Sequence, residues 1–138
     1  MELREMTQQD RRFLMDTRLW TDEASFQNRV CSQTGFVLWD GERPVGLMWH
    51  CVLWDKLPFL NLLYVLEQER GKGFGRQAMA AWEEKMKNRG YGMTLISTQA
   101  DEEAQYFYRK LGYVDCGCLV FQGTPLDQSA ELFFRKVL

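Results

Sequence analysis

Residues Leu66–Gly90 read LEQERGKGFGRQAMAAWEEKMKNRG. Three glycines, Gly71, Gly73 and Gly75, alternate with Lys72 and Phe74, and a helical pattern follows at once. Glycine loses more conformational freedom on folding than any other residue, so its concentration here points to a need for bare main chain. The first turn of a helix carries N–H groups with no partner inside the helix, and the macrodipole adds partial positive charge there. Arg70, Lys72 and Arg76 surround the turn with full charges. A strand that ends, a glycine-rich turn and a helix start together form an anion site suited to a phosphate group. The same residues also admit a plainer reading, a flexible loop with ordinary surface charges.

The spacing narrows the ligand. A Walker loop requires G-x-x-x-x-G-K-[ST], and Phe74 follows Gly73 here, so that pattern fails. A dinucleotide fingerprint requires G-x-G-x-x-G, and glycines at 71, 73 and 75 do not supply it.

Outward from the loop, the pattern reads as one domain over residues 1–138, without repeats, linkers or low-complexity segments. "ELREM" is a short strand. Thr7 is placed to cap a helix over "QQDRRFLMDTRLW", and a second helix covers "DEASFQNRVCSQ" with Phe26, Val30 and Cys31 inward. "GFVLWD" and "RPVGLMWHCVLW" are strands joined through "DGERP", and "DKLP" turns into "FLNLLYVL". The glycine helix runs to Arg89 and closes at Gly90. "GMTLISTQ" is a strand, after which Asp101 is placed to cap a helix with Ala104, Phe107, Tyr108 and Leu111 on one stripe. "YVDCGCLVFQG" and "AELFFRKVL" are the last strands. The order is β-α-α-β-β-β-α-β-α-β-β. Hairpins sit beside one long crossover, which implies a mixed sheet with one locally parallel pair.

Composition bounds the function. The chain has 138 residues, 46% of them apolar, and a formal net charge of −2. That charge argues against general nucleic-acid binding. No apolar run is long enough to span a bilayer, and the start, "MELREMTQQDRR", is too polar for a signal peptide. Cys31, Cys51, Cys116 and Cys118 form no C-x-x-C pair, and His50 is the only histidine, so no metal site is expected. "CGC" at 116–118 reads as small buried residues rather than a redox pair. Reduced thiols and the polar start suggest the cytoplasm.

Two segments carry a resemblance. "YVLEQERGKGFGRQAM" resembles the coenzyme A loop of the GNAT superfamily of acyl-CoA N-acyltransferases, whose signature [RQ]-x-x-G-x-[GA] is matched by Arg70, Gly73 and Gly75. "AQYFYRKLGYVDCG" looks like the family's Y-x-x-L-G-[FY] segment at the expected distance. The resemblance implies an α/β fold (α+β in some schemes): a mostly antiparallel mixed sheet of six or seven strands, splayed between the fourth and fifth, flanked by about four helices. It implies acetyl-CoA as co-substrate, with the pantetheine arm on the backbone of Leu63, Tyr64 and Val65. The diphosphate would lie on Arg70, Gly71, Lys72, Gly73, Phe74, Gly75 and Arg76. It also implies Tyr108 as general acid to the departing thiolate, and main-chain N–H near Val65 polarising the thioester carbonyl. By helical pattern alone Tyr108 reads as a core aromatic.

The sequence departs from the family in two places. Many relatives carry a glutamate on the fourth strand, where this chain has Asn61 in "FLNLLYV". Asp22, Glu23 and His50 are then candidate ends of a proton path, although a plain strand histidine and a helix-start carboxylate are the simpler readings. Asp101 stands where many relatives carry asparagine. Acceptor candidates are Trp20, Glu23, Trp49, His50 and Asn61. Carboxylates with tryptophans suit a small cation, while tryptophans alone also suit a core.

The expectation is an N-acetyltransferase acting on a primary amine of a small molecule. A peptide or protein acceptor, N-terminal or lysine, is the alternative acetyl acceptor. A non-catalytic acyl-CoA-binding module and a nucleotide-binding protein are the other classes. The terminal "ELFFRKVL" either adds a strand to a second copy, giving a homodimer, or closes the sheet of its own chain.

Overall fold

Seven strands and four α-helices follow one another in the computed structural model, which describes residues 1–138. They are β1 (Glu2–Glu5), α1 (Arg11–Asp16), α2 (Glu23–Cys31), β2 (Gly35–Asp40), β3 (Arg43–Leu53), β4 (Leu57–Val65), α3 (Phe74–Asn88), β5 (Met93–Gln99), α4 (Ala104–Lys110), β6 (Val114–Leu119) and β7 (Glu131–Val137). The strands form one sheet in the order β1-β2-β3-β4-β5-β7-β6. β4 and β5 are parallel, in register at Phe59↔Leu95 and Leu60↔Ile96, and the sheet is splayed at this pair. The mixed sheet and the crossover helix expected from the pattern are both present.

The chain divides into two compact units, Met1–Cys51 with Asn61–Lys85, and Val52–Leu60 with Met86–Leu138. In the first, alternation along the strands makes two apolar faces. Met6, Leu14, Phe26, Val37 and Leu47 form a buried cluster that Trp20, Trp49 and Leu62 pack against. Phe36 and His50 stack on each other on the other face, where His50 meets Trp82 of α3. Thr7 caps as expected: its hydroxyl accepts from Gln9 N–H, and the Asp10 carboxylate accepts from Thr7 N–H at 2.7 Å.

The first helix is shorter than its pattern. The stretch read as one helix over 8–20 is a 3-10 turn at Gln8–Asp10 followed by α1, which ends at Asp16. The Thr17 hydroxyl donates to the Leu14 carbonyl at 2.6 Å, and Arg18 turns left-handed at φ +63°, so the helix cannot continue. Cys31, expected inward, is exposed at the last position of α2.

In the second unit β5 pairs with β7, and β7 with β6, all antiparallel. Phe134 is fully buried and Phe59 stacks on Phe133 with centroids 5.9 Å apart. Asp101 does not cap α4. The N-cap position is Glu103, and the neighbouring Glu102 carboxylate instead accepts from Thr98 Oγ1 at 2.6 Å and Gln99 N–H at 3.2 Å. Cys116 and Cys118 are exposed rather than buried, because every residue of β6 is exposed and the pairing shifts between Asp115 and Gly117.

Candidate active site

The anion turn is built in the first unit. β4 ends at Val65, and the Leu66 N–H donates to the Val45 carbonyl at 2.9 Å. A 3-10 turn at Glu67–Glu69 follows, then Arg70 in extended backbone. Gly71 and Gly73 are left-handed, at φ +77° and +82°, a conformation costly for any residue with a β-carbon. Phe74, 8% exposed, anchors the helix start. The first helical bond runs from Gln77 N–H to the Gly73 carbonyl at 3.1 Å. The N–H groups of Phe74, Gly75 and Arg76 therefore have no partner within α3.

Space and charge agree with an anion there. A β-carbon at Gly71 would meet nothing within 4 Å, and one at Gly73 would meet only the Gln77 side chain at 3.8 Å. No acidic residue occupies the first turn of α3. Arg70 and Arg76 are exposed. Arg70 Nε donates to the Val65 carbonyl at 3.1 Å, and its guanidinium lies 5.7 Å from the Tyr64 ring centroid.

Leu63, Tyr64 and Val65 form the half-buried end of β4. Their position depends on Gly46 of β3. A β-carbon at Gly46 would stand 2.3 Å from the Tyr64 carbonyl oxygen and 3.2 Å from Val65 Cα. The main chains meet too closely for any side chain.

Sequence reasoning missed Glu69. It is buried, at 3% exposure, and its carboxylate accepts from Arg43 Nη1 at 2.6 Å and from Lys72 Nζ at 2.8 Å. These partners, Lys72 first, hold the Glu69 carboxyl below the usual carboxylate range. Lys72, read as a loop cation, thus points at a carboxylate of its own loop. The E-x-x-K spacing at 69–72 was the available signal.

Tyr108 belongs to the second unit. It is 9% exposed on α4, with edge contacts to Phe107 at 5.1 Å and Tyr113 at 5.9 Å between centroids. The Tyr113 hydroxyl is itself 3.1 Å from Thr94 Oγ1. Burial, and then the Glu102 charge, push the Tyr108 phenol up to about 12. It is therefore neutral throughout the ordinary working range. Tyr106 points elsewhere and is 52% exposed.

The acceptor candidates fall on both faces of the first unit. Trp20 packs on Phe26 with centroids 5.5 Å apart, and Arg11 lies over both rings. Glu23 is paired with Arg11 and accepts from Gln27 Nε2 at 2.7 Å, and these bonds keep its carboxyl below the usual range. Asp22 caps α2 through Ser25 N–H at 2.8 Å. Trp49 carries the Arg29 guanidinium 4.1 Å from its ring centroid. His50 is buried on the opposite face, where Trp82 Nε1–H donates to Nδ1 at 3.3 Å and Phe36 stacks at 5.8 Å. A neutral imidazole that accepts at Nδ1 carries its ring hydrogen on Nε2. Asn61 is exposed on β4. Trp20 and Trp49 thus share one cluster, while His50 does not. No group of three or more His, Cys, Asp or Glu could hold a metal ion, and no helix is long and apolar enough to cross a membrane.

Comparison with known proteins agrees with this geometry. Residues 2–113 match the model of the acetyltransferase (GNAT) family. A comparison with curated protein sequences finds no match. Among solved structures, a ribosomal-protein-alanine N-acetyltransferase from Brucella melitensis superposes with a TM-score of 0.81 at 20% identity, covering 100% of both chains. A variant of spermidine N-acetyltransferase from Vibrio cholerae superposes at 0.79 with 16% identity, covering 99% of this chain and 92% of its own. A GNAT family acetyltransferase from Elizabethkingia anophelis with acetyl-CoA bound superposes at 0.69 with 15% identity, covering 84% of each. At such identities these structures show the shared fold. The family match settles membership: the chain belongs to the GNAT family of acetyltransferases.

Proposed function

We propose that this acetyltransferase moves an acetyl group from acetyl-CoA to the primary amine of a small molecule. The observation that carries the reading is the turn at 70–76. It combines left-handed glycines, open space above them and unpartnered helix N–H groups, which is what a diphosphate requires. In this reading the pantetheine arm follows the backbone of Leu63, Tyr64 and Val65, and main-chain N–H near Val65 polarises the thioester carbonyl.

The reaction is an acyl transfer. The neutral amine attacks the carbonyl carbon, the C–N bond forms, the C–S bond breaks, and one amine proton ends on the coenzyme sulfur. We assign the donor at sulfur to Tyr108. A phenol near 12 is a weaker acid than an ordinary thiol, so it acts first as a hydrogen-bond donor to the developing thiolate. The proton it gives up is replaced by the one the nitrogen sheds through water. No carboxylate on β4 takes that proton, since Asn61 stands there. Trp20, Glu23 and Trp49, which lie on one face, and the exposed Asn61 are the proposed acceptor surroundings; His50, buried on the opposite face against Trp82, is not among them. Four free thiols support a reducing compartment, the cytoplasm.

A peptide or protein amine is the second reading, favoured by the likeness to the alanine N-acetyltransferase. Coenzyme release from acetyl-CoA, measured over polyamines, simple amines and peptides with a free N-terminus, decides between them. Small amines alone supporting turnover agrees with the proposal. Peptides alone doing so selects the second reading. Tight acetyl-CoA binding with no turnover on any acceptor selects a binding module.

A further inference from the structure

We infer that Glu69 is a positioning residue that keeps the 70–76 turn in binding shape by carrying the counter-charge for Lys72 and Arg43. The inference rests on the reading that this turn takes the coenzyme diphosphate.

A carboxylate beside a diphosphate site repels the ligand unless its charge is matched. Here two cations match it, Lys72 from the turn itself and Arg43 from the first residue of β3. The geometry is one-sided. The Glu69 side chain is 4% exposed, whereas those of Arg43 and Lys72 are 59% and 53% exposed. Both cations reach in from the surface to an anion fixed at the end of the 3-10 turn.

Lys72 stands between Gly71 and Gly73, whose left-handed backbones carry no β-carbon to restrain them. Glycine exposes the main chain to a phosphate but leaves the unliganded turn free to wander, and ordering it on binding would weaken affinity. Tying Lys72 Nζ to Glu69 at 2.8 Å removes part of that freedom beforehand. Arg43 ties the same carboxylate to the β2–β3 hairpin, where it also lies 3.5 Å from Asp40. With Asp40 counted, these four charges balance, and Arg70, Arg76 and the main-chain N–H groups remain to face an anion, offset by the exposed Glu67 of the 3-10 turn. The depressed carboxyl of Glu69 agrees with a permanently ionised anchor.

The test is calorimetric titration of the intact protein with coenzyme A, using E69Q, K72M and the double variant. E69Q and K72M should each weaken binding about tenfold, the size of one lost charge-assisted hydrogen bond. The double variant should be no more than about twofold worse than the weaker single, because both lose the same tether. Turnover with acetyl-pantetheine, which lacks the diphosphate, should stay within about twofold of wild type in E69Q. A general loss of structure would lower that as well. Should E69Q fail to fold, R43Q and K72M, both at exposed side chains, carry the same test of shared loss.

Binding by E69Q as tight as wild type or tighter overturns the inference. So do losses that multiply in the double variant, or a parallel fall with acetyl-pantetheine. The underlying reading fails separately. If Gly73→Val also leaves coenzyme affinity unchanged, the turn does not hold the diphosphate. If Gly73→Val weakens binding and E69Q does not, only the role of Glu69 is lost.

Discussion

Gly46 and Tyr64 approach so closely that a β-carbon on Gly46 would lie 2.3 Å from the Tyr64 carbonyl oxygen. β3 thereby fixes the end of β4, from which the anion turn departs. The obstacle is backbone and cannot swing aside. Gly46→Ala should therefore destabilise the fold by about 1–3 kcal/mol, the usual range for overpacking, and thermal unfolding measures it. An unchanged unfolding midpoint would show that the two strands separate freely.

The left-handed glycines give a prediction with an internal control. Gly73→Val should weaken acetyl-CoA binding at least about tenfold, because the substitution strains the turn and fills the space above it. Gly90→Ala imposes comparable backbone strain at φ +91°, beyond the C-terminal end of α3 and so at the opposite end of that helix from the turn. It should lower stability and leave coenzyme affinity unchanged, as titration of both variants would show.

Tyr108→Phe separates chemistry from binding. Losing the donor at sulfur should cut turnover about 100-fold, within the range for a general acid, while acetyl-CoA affinity stays within about twofold. The ring is buried against Phe107 and Tyr113, so its shape must be kept for the comparison to be fair.

The same residue sets an alkaline limit on stability. The Tyr108 phenol is raised from 10.0 to about 12 in the folded chain. The folded state therefore holds its proton where the unfolded state has lost it. The contribution is fully present below pH 10 and is lost as pH rises toward about 12. Between those limits wild type should lose stability more steeply than Tyr108→Phe. Denaturant unfolding at stepped pH checks this, and parallel curves would contradict it.

Helix entry offers a simpler case. Thr7 and Asp10 satisfy each other's main-chain N–H groups or those beside them, so Thr7→Ala should cost about 1 kcal/mol in chemical denaturation without affecting turnover.

Much of this fold was legible because its signals are local. Alternating strands, the cap at Thr7, and the glycines at 90 and 112 that end α3 and α4 all act within a few residues, and each is present. Features decided at a distance were not legible. The β3–β4 hairpin turns at Trp54 and Asp55, both left-handed at φ +53° and +55°, and neither is glycine. Pairing of the strands on either side, with Lys56 N–H donating to the Leu53 carbonyl at 3.0 Å, overrides their local preference. Cys116 and Cys118 read as apolar, but whether they are buried depends on what covers β6. At the site, the turn itself stood out in the sequence. The tether from Glu69 to Arg43 did not, because 26 residues separate the partners.

The decisive measurement is a crystal structure of the protein with coenzyme A bound. The diphosphate oxygens should lie within hydrogen-bond distance of main-chain N–H groups between Gly71 and Arg76. Coenzyme bound with its diphosphate elsewhere, and that turn untouched, would contradict it.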